Sequence, residues 1–244
     1  MAFKTEAFVL RSRPMSRADR LYDLYLPQEG IVSVILRSAA KPGNKLAGHM
    51  LPFAKVRVMI GRGKRDHLAG VTILKDFSNL RTDLKLLTLA SAVVEMLLHD
   101  HSLGHKFKEF LLVDNILNLL NEAELSLTKK NLLVRTFLWK YLGLLGYAQQ
   151  LDKCLVCGKA RFEQANYYMP GRGIICQEHG QDQVWPISQD LVLWLKNILQ
   201  QDWQELLDSN LSVDLNKEWG QISQIYYQTV FESAPQSFRL LSYI

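Results

Sequence analysis

The hydrophobic period of this chain changes once, near residue 80, and that change restricts the fold more than any other feature. Before it stand five short runs: EAFVLRS, RLYDLYLP, IVSVILRS, PFAKVRVMIG and LAGVTILKD. Each is rich in Val, Ile, Leu, Phe or Tyr, and Pro, Gly or charged turns separate them. The fourth run alternates cleanly: Ala54, Val56, Val58 and Ile60 fall on one side and Lys55 and Arg57 on the other, as on a half-buried strand. After residue 83 apolar residues recur at three- and four-residue steps, first as Leu86, Leu87, Ala90, Val93, Val94 and Leu97, then as Phe110, Val113, Leu117 and Leu120.

Five strands within the first 80 residues predict a small closed barrel of the oligonucleotide/oligosaccharide-binding (OB) type. Helices follow. Thr128 is expected to cap one that runs through Leu145 and stops at Gly146; Ser188 is expected to cap another holding Leu191, Trp194, Leu195 and Ile198. A last helix carries Trp219, Ile222, Tyr226 and Val230. The expected class is therefore α+β: a five-stranded OB barrel over 1–80, with the boundary between Phe77 and Thr82, then an all-α domain over 81–244. The helical part is interrupted by a metal-spaced insert at about 152–182.

That insert holds all three cysteines. Cys154, Cys157, Cys176 and His179 form C-x2-C-x18-C-x2-H. Two thiolates two residues apart grip one Zn²⁺ because a tight turn aims both sulfurs at one point, and Gly158 eases that turn. Gly173 and Gly180 flank the second pair. Four ligands close the coordination shell, so the expected metal is structural zinc rather than a catalytic ion with an open position. A nucleobase deaminase would also need an upstream His-x-Glu, and the chain contains none. HDHSLGH, with His99, His101 and His105, suggests a second metal site at first sight. Positions 99 and 101 point to different sides of a helix, so these histidines read as groups favouring the dipole of a helix's last turn.

Charge is unevenly spread. Residues 1–82 carry fifteen Lys/Arg against six Asp/Glu, or +9, whereas residues 83–244 carry fourteen against eighteen, or −4. The excess lies on three connections: RSRPMSRADR with Arg11, Arg13, Arg17 and Arg20; RSAAKPGNK with Arg37, Lys41 and Lys45; and GRGKR with Arg62, Lys64 and Arg65. Cations gathered at turns make a groove able to track a phosphate backbone. Tyr22, Tyr25, Phe8 and Phe53 lie beside them, either as core residues or as platforms on which bases stack. No G-x-S-x-G and no G-x-x-x-x-G-K-[ST] occurs, so neither serine hydrolysis nor ATP hydrolysis is supported. MAFKTEAFVL lacks a signal-peptide pattern, LLTLASAVVEMLL is short and broken by Glu95, and thiols at metal spacing suit a reducing compartment. The expected location is the cytoplasm, and no enzymatic activity is expected.

Taken in order, AFVLRSRPMSRADRLYDLYLPQEG, LPF at 51–53, FLWKYLGLLGY at 137–147 and GIICQEHG resemble the RecO family of bacterial DNA repair and recombination mediators, over about residues 3–180. The resemblance implies an OB fold, a helical domain and a zinc-binding insert. It also implies binding of single- and double-stranded DNA, annealing of complementary strands, and loading of recombinase onto DNA coated with single-strand-binding protein, with nucleoid association. The implied protein partners are RecR and the acidic C-terminal tail of single-strand-binding protein. DNA contact would fall on Arg11, Arg13, Arg17, Arg37, Lys41 and Lys45, with Arg62, Lys64 and Arg65 on the third loop. Two features depart from the family pattern. His179 stands where members often have a fourth cysteine, and RSAAKPGNK is less rich in Gly and Arg than is typical. The alternative is an RNA-binding or adaptor protein with the same OB and zinc parts and no annealing activity.

Overall fold

The computed structural model describes residues 2–100, 104–160, 164–180, 182–233 and 236–237. The chain forms two compact units, Met1–Leu125 and Ser126–Ile244.

The first unit is built on a closed barrel of five strands in the order β1-β2-β3-β5-β4: β1 Ala2–Pro14, β2 Arg20–Leu26, β3 Gly30–Leu36, β4 Lys55–Gly61 and β5 His67–Lys75. β1 is long because it serves two neighbours. Its first half pairs with β4 from Ala2↔Gly61 to Phe8↔Lys55, and its second half pairs with β2 as far as Pro14↔Arg20. A bulge between Val9 and Arg11 turns the strand from one partner to the other. The barrel closes through a parallel contact, Ile35↔His67. Alternation fills the interior with Ala7, Val9, Leu24, Leu26, Val34, Val56, Val58 and Ile60 and leaves Arg57 and Met59 outside.

Two helices belong to this same unit: α1 Leu84–His99, capped by the Asp83 carboxylate, and α2 Phe107–Asn121. α2 covers the outer face of β1 and β2. The Phe110 ring lies 4.7 Å from Phe8 and stacks on Tyr25 at 6.5 Å, while Lys106 N donates to Pro27 O. The compact unit thus extends 45 residues past the boundary that the change of period suggests, because α2 covers the barrel's apolar outer face and α1 packs on α2. His99 lies in the last turn of α1, as expected; His105 does not share that place, since it lies in the connection before α2, and His101 falls outside the described residues.

The second unit is organised by α3 Leu127–Leu144, which is buried on nearly every side. Its cap is Ser126, whose hydroxyl accepts from Lys129 N; the expected cap, Thr128, lies two residues further on, inside the first turn. Gly146 follows with φ of +89°, a left-handed stop that glycine adopts without strain. α4 Gln189–Gln200 is capped by Ser188 as expected, and α5 Trp203–Asp208 and α6 Val213–Phe231 complete the helical layer. Trp139 of α3 is buried and donates through Nε1 to Ser223 Oγ of α6 at 2.8 Å. The insert contributes a three-stranded antiparallel sheet, β7-β6-β8, from β6 Ala165–Tyr168, β7 Gly173–Cys176 and β8 Val184–Ile187. Tyr167 on β6 meets the Trp139 ring edge-on at 6.1 Å, so the sheet is braced on α3. Among the described residues no helix is long and apolar enough to cross a membrane.

Candidate metal centre and nucleic-acid interface

The Cys/His cluster is assembled by two knuckles. In the first, Gly158 takes φ of +73° and its N–H returns to Cys154 O at 2.9 Å, while Cys154 N donates to Lys159 O at 2.9 Å. In the second, Cys176 ends β7 and His179 N donates to Cys176 O at 3.0 Å. Gly173 is required where β7 starts. A Cβ there would meet Gln150 O at 2.5 Å, and it is Gln150 N and O that tie this strand to the segment leading to the first cysteine.

One ligand atom from each of Cys154, Cys157, Cys176 and His179 lies within 4.8 Å of every other. Cys157 Sγ to Cys176 Sγ is 3.9 Å, Cys154 Sγ to His179 Nδ1 is 3.9 Å and Cys176 Sγ to His179 Nδ1 is 3.0 Å. A tetrahedron with Zn–S bonds of about 2.3 Å has edges of about 3.8 Å, so the four residues are positioned to hold one metal ion. Among the described residues this is the one such group. Burial pushes the Cys154 thiol up, but the N–H groups of Cys157, Cys176 and Val156 outweigh that and bring it down to about 6, which favours the thiolate a metal needs. Glu178, beside the ligands, pairs with Lys159 at 3.3 Å and is exposed to solvent.

The nine basic candidates divide into two groups. Arg11 and Arg13 are half-exposed and grip a buried carboxylate, Asp23, at 2.7 and 3.2 Å; Ser33 Oγ donates to the same carboxylate at 2.5 Å. Burial pushes the Asp23 carboxyl up, yet Ser33, Arg11 and Arg13 together hold it below the ordinary carboxylate range. Arg62 is engaged by both Glu29 and Asp66 and stacks over Phe3. By contrast Arg17, Arg37, Lys41, Lys45, Lys64 and Arg65 are exposed, and none has a carboxylate partner among the described residues.

Four of these free cations share one locality. Ser38 N donates to Asp19 Oδ1 at 2.8 Å and Ala40 N to Ala18 O at 2.9 Å, tying the β1–β2 loop that carries Arg17 to the loop after β3 that carries Arg37, Lys41 and Lys45. Asn44 orders the second loop from within. Its Nδ2 donates to Arg37 O and Ser38 O, and its Oδ1 accepts from Leu46 N and Ala47 N. Asp19 and Asn44 were not legible as site residues, since a carboxylate and an amide that shape a loop have no charge or spacing signature of their own.

The four aromatic residues expected either as core or as platforms are core. Phe8, Tyr22, Tyr25 and Phe53 are each buried, Tyr22 inside the barrel and Phe8 and Tyr25 beneath α2. None offers a face to a base.

Two family models together match residues 1–237 of the chain. The one described as "Recombination protein O N terminal" matches residues 1–80, and the one described as "Recombination protein O C terminal" matches residues 81–237. Similar proteins include one from Dehalococcoides mccartyi strain 195, 27% identical over 241 residues, covering 96% of this chain and 93% of the relative. Another, from Desulforamulus reducens, is 26% identical over 235 residues, 94% of this chain and 90% of the relative. A third, from Roseiflexus sp. RS-1, is 27% identical over 245 residues, 98% and 84%. Each of the three bears the name "DNA repair protein RecO".

Proposed function

This chain belongs to the recombination protein O family, and from that premise we propose that it is a DNA-binding mediator of recombinational repair that makes and breaks no covalent bond. The observation that carries this reading is the tethered pair of loops holding Arg17, Arg37, Lys41 and Lys45 without carboxylate partners. An exposed cation already paired in the protein must lose that partner before it meets a phosphate; these four need lose only counterions and water. Arg11 and Arg13 have a different part. Asp23 holds one edge of each guanidinium, leaving the remaining N–H groups outward at a fixed place on the β1–β2 ribbon.

Annealing requires two polyanions to approach each other. A cationic barrel end lowers their repulsion, and with no exposed aromatic platform among the four residues considered, it holds strands by their backbones rather than by their bases. Backbone contacts suit double- as well as single-stranded DNA and leave the bases free to pair. In this reading the protein works in the bacterial cytoplasm at the nucleoid, with RecR and the tail of single-strand-binding protein as the partners that family membership suggests.

The metal in this reading is structural Zn²⁺, held by Cys154, Cys157, Cys176 and His179. When bound it supplies a cross-link between the two knuckles. The chain's own residues position those knuckles through β7 and the Gly158 turn, and the cluster's packing is small: Cys154, Ile175 and Cys176, with Tyr168 and Val184 partly buried against them. The ligand side of the insert has only this small packing, apart from the face of β6 that Tyr167 braces on α3, so the cross-link is what ties the two knuckles together.

Fluorescence anisotropy of labelled single-stranded DNA over a salt series, followed by addition of the complementary strand, tests the proposal. The expected result is affinity that falls steeply with salt and annealing faster than the spontaneous rate. Salt-insensitive binding, or a marked preference for RNA at matched salt, would assign the cationic loops to another ligand.

A further inference from the structure

Arg135, in the middle of α3, is the most deeply buried guanidinium among the described residues. It is 7% exposed and has no carboxylate partner among the described residues. Its hydrogen bonds use Nη1 alone, which donates to Asn216 O at 2.7 Å and Asn216 Oδ1 at 2.8 Å; the Nη2 and Nε donors find no acceptor among the described residues. The guanidinium lies over the Trp219 ring at 5.9 Å. Burial draws its pKa down to about 10, still well above neutrality, so the charge persists. Nη2 and Nε are not sealed from solvent, so the idle edge of the guanidinium is reached through the pocket it lines, where a ligand can take the place of water.

The surroundings leave room for that completion. Arg135 lines a pocket of about 370 Å³ with Asn216, Lys217, Gly220, Gln221 and Gln224, all from one face of α6. Every polar side chain among these is a cation or an amide, and none is a carboxylate. Gly220 makes the approach possible: a Cβ there would stand 3.0 Å from Arg135 Nη1, 3.2 Å from Cζ and 3.3 Å from Nη2. The glycine lets the guanidinium lie flat against α6.

We propose that this pocket is a binding site for a small organic carboxylate, taken up by the idle edge of Arg135 with Lys217 at the mouth. The planar fork of arginine matches the two oxygens of a carboxylate, and amide side chains add neutral donors. Residues 83–244 carry net −4, which disfavours a polyanion such as nucleic acid here and favours a ligand with one or two charges. The site lies apart from the cationic loops in sequence and is independent of the DNA reading.

The test uses the full-length, metal-loaded protein, isotopically labelled on arginine, with succinate, its diamide and inorganic phosphate as probes. The Arg135 Nε–H resonance is followed during each titration. The expected result is a saturable shift with succinate, none with the diamide, and affinity several-fold weaker in Lys217→Glu, an exposed change that leaves the fold intact. Gly220→Ala should abolish the succinate response; its melting temperature identifies whether the variant is folded, and Lys217→Glu decides the matter if it is not. An Arg135 signal unmoved by succinate, moved equally by the diamide, or moved more strongly by phosphate overturns the carboxylate assignment.

Discussion

At the end of the barrel, Arg17, Arg37, Lys41 and Lys45 are held by their backbones and left idle at their side chains; in the Cys/His knuckles the reverse holds, and the side chains converge on one another. The first arrangement orders a loop through Asp19 and Asn44 without touching a single cationic head group. The second places four ligand atoms within 4.8 Å and leaves them nothing to offer a second partner. A surface that binds a polyanion keeps its donors unused until the ligand arrives, whereas a structural site uses them all within the fold. Arg11 and Arg13 stand between the two, each half-engaged by Asp23.

The largest expected effect is on the knuckles. Stripping the metal with a chelator, or replacing Cys176 by Ser, should cost about 4 kcal/mol or more of stability in the second unit, seen as an early melting transition. DNA affinity per folded barrel should hardly change. Because thiolates and neutral imidazole are the ligating forms, metal release should also appear as pH falls. A variant that keeps its stability and loses DNA binding would erase the distinction between the two regions.

Asp23→Asn sharpens the intermediate case. It leaves two arginines around a neutral amide and should destabilise the barrel by about 1–3 kcal/mol in urea unfolding. The pH dependence has a definite sign. A carboxyl held below its ordinary value contributes stability that is fully present above about pH 4 and is lost as pH falls through its lower folded value. The wild type should therefore weaken over that acid window, and Asp23→Asn should lack this component.

How much of this division the sequence disclosed depended on what kind of signal each part carries. Cys154, Cys157, Cys176 and His179 were legible because residue type and spacing alone define a metal knuckle, whatever surrounds them. The strands were legible from alternation, and Ser188 from its place before a helical period. The fate of Phe8 and Tyr25 was not, since a helix more than 80 residues further along the chain decides whether their face meets solvent. The same holds for Arg62: Glu29 is 33 residues away, and no local pattern announces the pair. The short strands β6, β7 and β8 were hidden by their four-residue length and by the metal pattern that overlies them.

Smaller effects separate the idle cations from the engaged ones. Arg37→Glu with Lys41→Glu should change stability by no more than about 0.5 kcal/mol, since both are exposed and unpaired, and yet weaken DNA binding clearly at low salt. Arg62→Ala should have the smallest effect on DNA affinity, because its charge is already balanced by Glu29 and Asp66. Equal losses in the two variants would mean that pairing within the barrel does not govern which cations meet DNA.

The most direct measurement is the slope of log affinity against log salt for single-stranded DNA, taken for the wild type and for a variant with Arg17, Arg37, Lys41 and Lys45 all replaced by Gln. Each lost phosphate contact removes about 0.7 from that slope, so the account predicts a fall of up to about 3 with an unchanged melting temperature. A slope that stays at the wild-type value would contradict it, and would move the DNA-binding surface away from this end of the barrel.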